Sequence, residues 1–265
     1  MINKIIKLPF LKRLIPSITR RYYKHLKKNK DYFKIGNIYF YLDFLDPIDR
    51  DIILNKNYEH DQFIFFEQKI IENSINYFLD IGANSGYYSF YLADKFKNIK
   101  IKSFEPNIDP YQKFIKTLKK NDFKNIEIFN FGLSDQERKS NIRSMIKNGF
   151  VHSNSEVIDN LNEFNTKGFK IREATLKIGD EIMMFKNEKL SIKMDVEGHE
   201  ISTLKGLRSN LTNNRCVLLI EIYNKKFNDV DNLLKQFDYR CIFKSEQRSD
   251  YISVSYTHLT LPTKA

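Results

Sequence analysis

Short apolar segments rich in Ile and Phe alternate with helical segments along most of the chain, and no other feature constrains the fold as strongly. The apolar segments, each of a length suited to one strand, are Tyr77–Ile81, Ile99–Phe104, Ile126–Phe131, Leu190–Met194, Cys216–Ile222 and Tyr239–Phe243. The helical segments between them are Gly86–Lys97, Pro110–Asn121, Glu200–Leu211 and Asn228–Phe237. Strands separated by helices form βαβ units, in which helices cover both faces of a parallel sheet. The sequence therefore predicts an α/β fold with a mostly parallel sheet.

Two segments precede this alternating region. Residues 1–30 form a basic arm, and residues 31–76 form a lead-in. Within the lead-in, Ile38–Leu45 is predicted to be a strand and Asp61–Asn73 a helix. Residues 77–252 then form the main domain, which has an ordinary length for one α/β unit.

Residues 134–189 interrupt the main domain and are polar and rich in Asn and Ser. They contain two weak strand candidates, Arg138–Met145 and Phe169–Ile178. A long insertion in a compact domain is typically functional, so we expect this one to face the substrate. Residues 253–265 have a different composition, rich in Thr and without acidic residues. We interpret them as a non-native tail and expect the natural C-terminus to be missing.

Most of the formal net charge of +11 lies in the arm, which contains ten Lys and Arg and no Asp or Glu. The remainder is nearly neutral, so the overall charge does not indicate a nucleic-acid-binding fold, and no nucleic-acid partner is expected. We expect the arm to hold a cytoplasmic protein on the anionic inner face of a membrane. An arm that packs on the body, or is simply solvated, is the alternative. Cys216 and Cys241 lack a CxxC spacing, which is typical of reduced thiols in the cytoplasm.

The first candidate binding motif is the segment 78–86, in which an apolar strand ends in an acidic residue and a glycine turn opens a helix. Gly82 allows the tight turn and Gly86 a close helix entry. The spacing differs from the G-x-G-x-x-G of dinucleotide-binding loops, because Asn84 occupies the middle position. A carboxylate at Asp80 suits the amino group of an amino-acid-like ligand and repels a pyrophosphate. A purely structural turn is the alternative.

The next two strands end in further candidate ligand residues. Glu105 lies 23 positions after Gly82, close to the interval at which an acidic residue in a βαβ unit reaches ribose hydroxyls. After the following strand, Leu133 and Ser134 are placed to contact an adenine ring. The alternatives are that Glu105 only caps the next helix and that Ser134 only forms a turn.

The segment 192–200 carries the most chemistry, because Lys193, Asp195, Glu197 and His199 all lie near the carboxyl end of one predicted strand. Open α/β sheets bind their ligands at that edge. Glu221 ends the next strand and is expected to reach the same edge. An ordinary surface histidine is the alternative for His199. A metal held by Asp195, His199 and Glu221 lacks a recognised ligand spacing, and no metal is predicted.

Together these motifs resemble the FkbM family of S-adenosylmethionine-dependent methyltransferases. The matching stretches are DIGANSGYYS at 80–89, FEPN at 104–107, FGLSD at 131–135, IKMDVEGHE at 192–200, LKGL at 204–207 and LLIEIY at 218–223. The resemblance implies a class I, Rossmann-like methyltransferase sheet of seven strands, one of them antiparallel near the C-terminus. It also implies methyl transfer from S-adenosylmethionine to a hydroxyl of a glycan or secondary-metabolite acceptor.

The resemblance assigns a role to each candidate. The residues expected to bind the cofactor are Asp80, Gly82, Ala83, Asn84 and Gly86 at the methionine part, Glu105 at the ribose, and Leu133 and Ser134 at the adenine. Asn107 is also expected to bind the cofactor. His199 is the first candidate for the general base and Asp195 the second, while Lys193 and Glu197 are expected to orient the acceptor. Two other functions stay open: a membrane- or RNA-docking binding protein with a vestigial cofactor site, and a nicotinamide-dependent dehydrogenase.

Overall fold

The computed structural model describes residues 29–55, 59–147, 150–158, 166–222, 226–245 and 250–255. The predicted arm therefore lies outside the described residues, apart from its last two positions. Strands and helices are numbered in chain order. The lead-in comprises β1 (Lys30–Ile35), β2 (Ile38–Asp43), α1 (Pro47–Asn55) and α2 (His60–Glu72). The two strands form an antiparallel hairpin. Sequence reasoning found β2 and α2 but missed β1, whose side chains are mostly exposed, and the short helix α1.

A seven-stranded sheet forms the centre of the molecule. Its strands are β3 (Tyr77–Ile81), β4 (Lys100–Phe104), β5 (Ile126–Phe129), β10 (Lys189–Met194), β11 (Arg215–Glu221), β12 (Tyr239–Lys244) and β13 (Asp250–Ser255). The spatial order is β12–β13–β11–β10–β3–β4–β5. Strand β13 is antiparallel to both of its neighbours, and the pairs from β11 to β5 are parallel. The predicted α/β fold, with a mostly parallel sheet of seven strands and one antiparallel strand, is confirmed.

Helices cover both faces of this sheet. They are α3 (Tyr87–Lys95), α4 (Ile108–Lys120), α6 (Glu200–Gly206), α7 (Arg208–Thr212) and α8 (Phe227–Gln236). Successive residues of β3 face opposite sides, so Phe78 belongs to one apolar core and Leu79 to the other. This burial on both faces explains why the strands are apolar throughout their length.

The insertion, together with the two residues before it, forms a second sheet rather than two isolated strands. Its elements are β6 (Gly132–Ser134), β7 (Arg138–Lys147), β8 (Phe150–Ile158), β9 (Phe169–Ile178) and the single turn α5 (Gly179–Ile182). The sheet order is β6–β9–β7–β8, and β7 is antiparallel to both β8 and β9. The two predicted strands correspond to β7 and β9. Strand β8 escaped prediction because Ser and Asn interrupt its apolar residues.

The C-terminal boundary differs from the prediction. Residues Ser253–Ser255 belong to β13, where Val254 pairs with Val217 of β11, although we placed the start of the tail at residue 253. The buried Ile252 and Val254 alternate with serines, a period of two that fits a strand in a sheet. Residues 256–265 lie outside the described part of the chain. Within the described ranges, no helix is long and apolar enough to cross a membrane.

Candidate active site

The glycine turn after β3 is held by its neighbours on both sides. The backbone N–H groups of Gly82 and Ala83 donate to the carbonyl of Phe104 at 2.9 and 3.0 Å. Gly82 has a φ of +77°, and a Cβ at this position would lie 1.8 Å from the carbonyl oxygen of Asp195. Only glycine fits here, because a side chain would separate the ends of β3 and β10.

Glu105 connects the ends of β3 and β4. Its Oε2 accepts from the backbone N–H of Asn84 at 2.8 Å, and its Oε1 accepts from the backbone N–H of Asn107 at 2.7 Å. Burial raises the pKa of Glu105 to about 7, although both N–H groups favour the charged form. The carboxylate therefore has a fixed orientation, and each oxygen retains a lone pair for a ligand.

His199 lies against β6. Its Nε2 is 2.9 Å from Oγ of Ser134, and Thr203, one helical turn later, donates to the carbonyl of Leu133 at 3.0 Å. Helix α6 approaches β6 this closely because Gly206 has no side chain, since a Cβ there would lie 1.9 Å from the carbonyl oxygen of Ser134. The structure thus brings together two predicted residues with different predicted roles, the general base His199 and the adenine contact Ser134.

A pocket with an empty volume of about 570 Å³ opens at the carboxyl edge of the main sheet. Seven of the predicted site residues line it: Gly82, Asn84, Glu105, Leu133, Asp195, Glu197 and His199. The pocket therefore lies where β3, β4 and β10 of the main sheet end beside β6 of the second sheet. The sequence analysis placed Leu133 directly after a strand of the main sheet, and the structure corrects this, because the main-sheet strand ends at Phe129 and Leu133 lies in β6.

The other predicted site residues do not line this pocket. Asp80 is almost fully buried and accepts from Oγ of Ser89 at 2.5 Å, and burial raises its pKa. Ala83 belongs to the apolar core, and Gly86 packs on Phe114. Asn107 caps α4 by accepting from the N–H of Asp109 at 3.1 Å. Direct ligand contacts by these residues, and by the buried Ser134, stay predictions.

Strand β8 supplies a pocket wall that sequence reasoning missed. Ser153, Ser155 and Val157 share one face of the strand and line the pocket. Side chains of the main domain hold this face in place: Nδ2 of Asn84 donates to Oγ of Ser153 at 3.2 Å, and Nδ2 of Asn107 donates to Oγ of Ser155 at 2.6 Å. The period-two spacing of these residues was the only available signal. This strand of the insertion encloses the pocket at the strand ends, and contact of the insertion with the substrate stays a prediction.

Lys193 lies on the face of the sheet that is covered by α3. Its Nζ is 3.2 Å from Oδ2 of Asp195 and 5.4 Å from the ring centroid of Tyr88. Burial disfavours the ammonium charge, but the carboxylates of Asp195, Asp80, Glu59 and Glu221 outweigh this effect and raise the pKa of Lys193. Lys193 is therefore a permanent cation in an acidic environment.

Three of the carboxylates around Lys193, those of Glu59, Asp195 and Glu221, form a group with the carboxylate of Asp250, which is opposite Glu221 in the sheet. We call these four residues the acidic rim. Asp195 belongs to both the rim and the pocket lining. Among the described residues, no group of three or more His, Cys, Asp or Glu side chains is arranged to hold a metal ion.

Several solved methyltransferase structures align with the chain at low identity. TYW2 from M. jannaschii, in complex with AdoMet, is 14% identical. The alignment covers 85% of this chain and 84% of TYW2, with a TM-score of 0.42. Precorrin-6y C5,15-methyltransferase from Geobacter metallireducens is 13% identical. The alignment covers 72% of this chain and 85% of that protein, with a TM-score of 0.40. An rRNA methylase from Streptococcus thermophilus is 11% identical. The alignment covers 74% of this chain and 93% of that protein, with a TM-score of 0.41.

No curated protein matches the sequence. The family model of the methyltransferase FkbM domain matches residues 80–241, which is more than half of the chain. These residues run from the end of β3 to β12 and include all the predicted site residues. The chain therefore belongs to the FkbM methyltransferase family and is an S-adenosylmethionine-dependent methyltransferase.

Proposed function

We propose that the protein methylates a hydroxyl group of a neutral glycan or secondary metabolite. The observation that carries this proposal is the position of Asp195, which lines the cofactor pocket on one side and belongs to the acidic rim on the other. Carboxylates accept hydrogen bonds from hydroxyl groups and repel phosphates. A polyhydroxyl acceptor is therefore better suited to this rim than a nucleic acid.

The pocket residues fit the cofactor. Oδ1 of Asn84 is buried and accepts no hydrogen bond from the described residues, so it is available to a ligand donor. The carboxylate of Glu105 suits ribose hydroxyls, and Leu133 offers an apolar contact for the adenine. When bound, S-adenosylmethionine supplies an electrophilic methyl group on a positively charged sulfur.

The chain's own residues then position the acceptor. The ion pair of Lys193 with Asp195 fixes the orientation of the Asp195 carboxylate at the junction of pocket and rim. We assign His199 to cofactor binding, because its Nε2 pairs with Ser134. Glu197, whose Oε1 accepts from Nδ2 of Asn154, connects the turn after β10 to the wall formed by β8. Alignment of the two reacting atoms accounts for much of the expected acceleration.

The test is transfer of a radiolabelled methyl group from S-adenosylmethionine into extracts of the source cell, followed by mass spectrometry of the labelled product. We expect the label in the neutral glycan or small-molecule fraction. Label confined to the nucleic-acid fraction would contradict the proposed acceptor class. Asp195→Asn serves as the inactive control, because it removes a rim carboxylate while keeping the side-chain shape.

We further propose that residues 1–30 dock the enzyme on the anionic inner face of a membrane. Their ten basic residues and absence of acidic residues support this location. In a flotation assay with vesicles that contain an anionic lipid, the full chain should float with the vesicles. A variant that lacks residues 1–30 should not. Equal flotation of both chains, or an RNA gel shift that depends on the same residues, would contradict it.

A further inference from the structure

The acidic rim follows from the register of three strands. Lys193 pairs with Leu219 of β11, and Glu221 pairs with Asp250 of β13. Alternate residues of a strand share one face, so Glu221 lies on the same face as Leu219, and this face is the one on which Lys193 meets α3. Neighbouring strands are about 4.8 Å apart. Glu221 is thus one strand farther from the glycine turn than Asp195, on the side away from the cofactor pocket.

Three of the four rim carboxylates form a hydrogen bond or an ion pair with a side chain of the described residues. Asp195 pairs with Lys193 at 3.2 Å, Asp250 accepts from Nε2 of Gln62 at 2.5 Å, and Glu59 accepts from the hydroxyl of Tyr88 at 2.7 Å. The carboxylate of Glu221 accepts no hydrogen bond from any described residue. It is the rim group whose oxygens are available to another molecule.

This arrangement is costly for the fold. Glu221 and Asp250 are directly opposite each other in an antiparallel pair, a position at which like charges destabilise a sheet. Burial, followed by the charges of Asp195 and Asp250, raises the pKa of Glu221 to about 8; Lys193 opposes this rise and Glu59 adds to it. A group that exchanges its proton near neutral pH suits general acid–base catalysis.

We propose that Glu221 is a catalytic residue, the general base that takes the proton from the acceptor hydroxyl. This inference rests on the proposed function, since only an acceptor with an O–H bond has such a proton to lose. The acceptor oxygen forms a bond to the methyl carbon as the carbon–sulfur bond breaks and its electrons return to sulfur. The O–H proton passes to an Oε of Glu221, which leaves a methyl ether, a neutral thioether and a protonated carboxyl.

The test compares Glu221→Gln with the wild type and with Glu188→Gln, a half-buried residue just before β10 at the opposite end of the sheet. We expect Glu221→Gln to lower the rate of methyl transfer into the extract about 10²- to 10⁴-fold, the usual contribution of a general base. Glu221→Asp, which keeps a carboxylate, should recover part of the rate. The wild-type rate should rise with pH as Glu221 loses its proton. This rise should be absent from Glu221→Gln.

Two further measurements do not depend on turnover. Calorimetry should give the same S-adenosylmethionine affinity for Glu221→Gln and the wild type, because Glu221 lies outside the pocket. The variant should also be more stable at pH 9, where the wild type carries the opposed charges. A Glu221→Gln variant with wild-type turnover, or with lower stability at pH 9, would overturn the inference. If the wild type fails to bind S-adenosylmethionine or labels no hydroxyl compound, the proposed function itself fails.

Discussion

The backbone N–H of Ser153 donates a hydrogen bond to Oδ2 of Asp46 at 2.9 Å, across 107 positions in the chain. Asp46 precedes α1, and its Oδ1 accepts from the N–H of Ile48 at 3.0 Å. Lys113 of α4 approaches the same carboxylate at 3.7 Å and pairs with Asp49 at 2.5 Å. Because Ser153 lines the pocket at the strand ends, the lead-in fixes one wall of the candidate active site.

Asp46→Asn should weaken cofactor binding. An amide has one oxygen, which cannot serve both the start of α1 and the N–H of Ser153, so one buried donor loses its acceptor. Such a loss costs about 1–3 kcal/mol. We expect a lower melting temperature and roughly tenfold weaker binding of S-adenosylmethionine, which corresponds to about 1.4 kcal/mol. Asp51→Asn in the same helix is the control, and equal cofactor affinity in both variants would contradict the proposed connection.

Gly82→Ala should disrupt the site, whereas Gly36→Ala should leave it intact. Both glycines have a positive φ, +77° and +59°, so both substitutions carry a backbone cost of about 1–2 kcal/mol. Only at Gly82 does the new Cβ meet a backbone atom, the carbonyl oxygen of Asp195 at 1.8 Å, while nothing lies within 4 Å at Gly36. Chemical denaturation and calorimetry with S-adenosylmethionine should separate the two variants. Retained cofactor binding in Gly82→Ala would show that the turn tolerates a wider separation from β10.

The site residues that directly follow a strand of the main sheet could be predicted from the sequence. Glu105 and Asp195 each follow an apolar strand, so their placement at one sheet edge required only the βαβ pattern. The wall formed by Ser153 and Ser155 was not predictable in this way, because its position depends on contacts with Asp46 and Asn107 that are distant in sequence. Nothing in the local pattern distinguished β8 from a polar loop.

The role that we propose for His199 illustrates the same limit. Its neighbours in sequence, Asp195 and Glu197, favoured a catalytic interpretation, but the glycine contact of α6 with β6 brings its ring against Ser134. Sequence spacing located the histidine near the site and did not determine which part of the site it faces.

His199→Ala should therefore raise the KM for S-adenosylmethionine with little change in kcat. The expected rise is about 2- to 10-fold, the equivalent of one hydrogen bond. Ser134→Ala should give a similar change, because it removes the other partner of the same contact. Steady-state kinetics at saturating acceptor separates the two parameters. A hundredfold fall in kcat at unchanged KM would restore His199 as the general base.

Glu105 should make the stability of the cofactor-free protein depend on pH. Its pKa is about 7 in the folded chain, raised chiefly by burial from an ordinary value of 4.5. Between these two values the folded chain holds a proton that the unfolded chain has released, so the free energy of unfolding falls as the pH rises. The decrease in unfolding free energy that is due to Glu105 is on the order of 3 kcal/mol between these two pH values.

Glu105→Gln removes this titration, and its unfolding free energy should fall less steeply between about pH 4.5 and 7 than that of the wild type. Urea denaturation at several pH values measures the difference, and Glu127→Gln, an exposed position on β5, controls for the loss of one carboxylate. The comparison isolates Glu105 because the raised pKa values of Asp49 and Glu221 affect all three proteins alike. Parallel pH profiles for wild type and Glu105→Gln would mean that the carboxylate is solvated in solution. Glu105→Gln should also bind S-adenosylmethionine at least tenfold more weakly, because a charged acceptor for the ribose is lost.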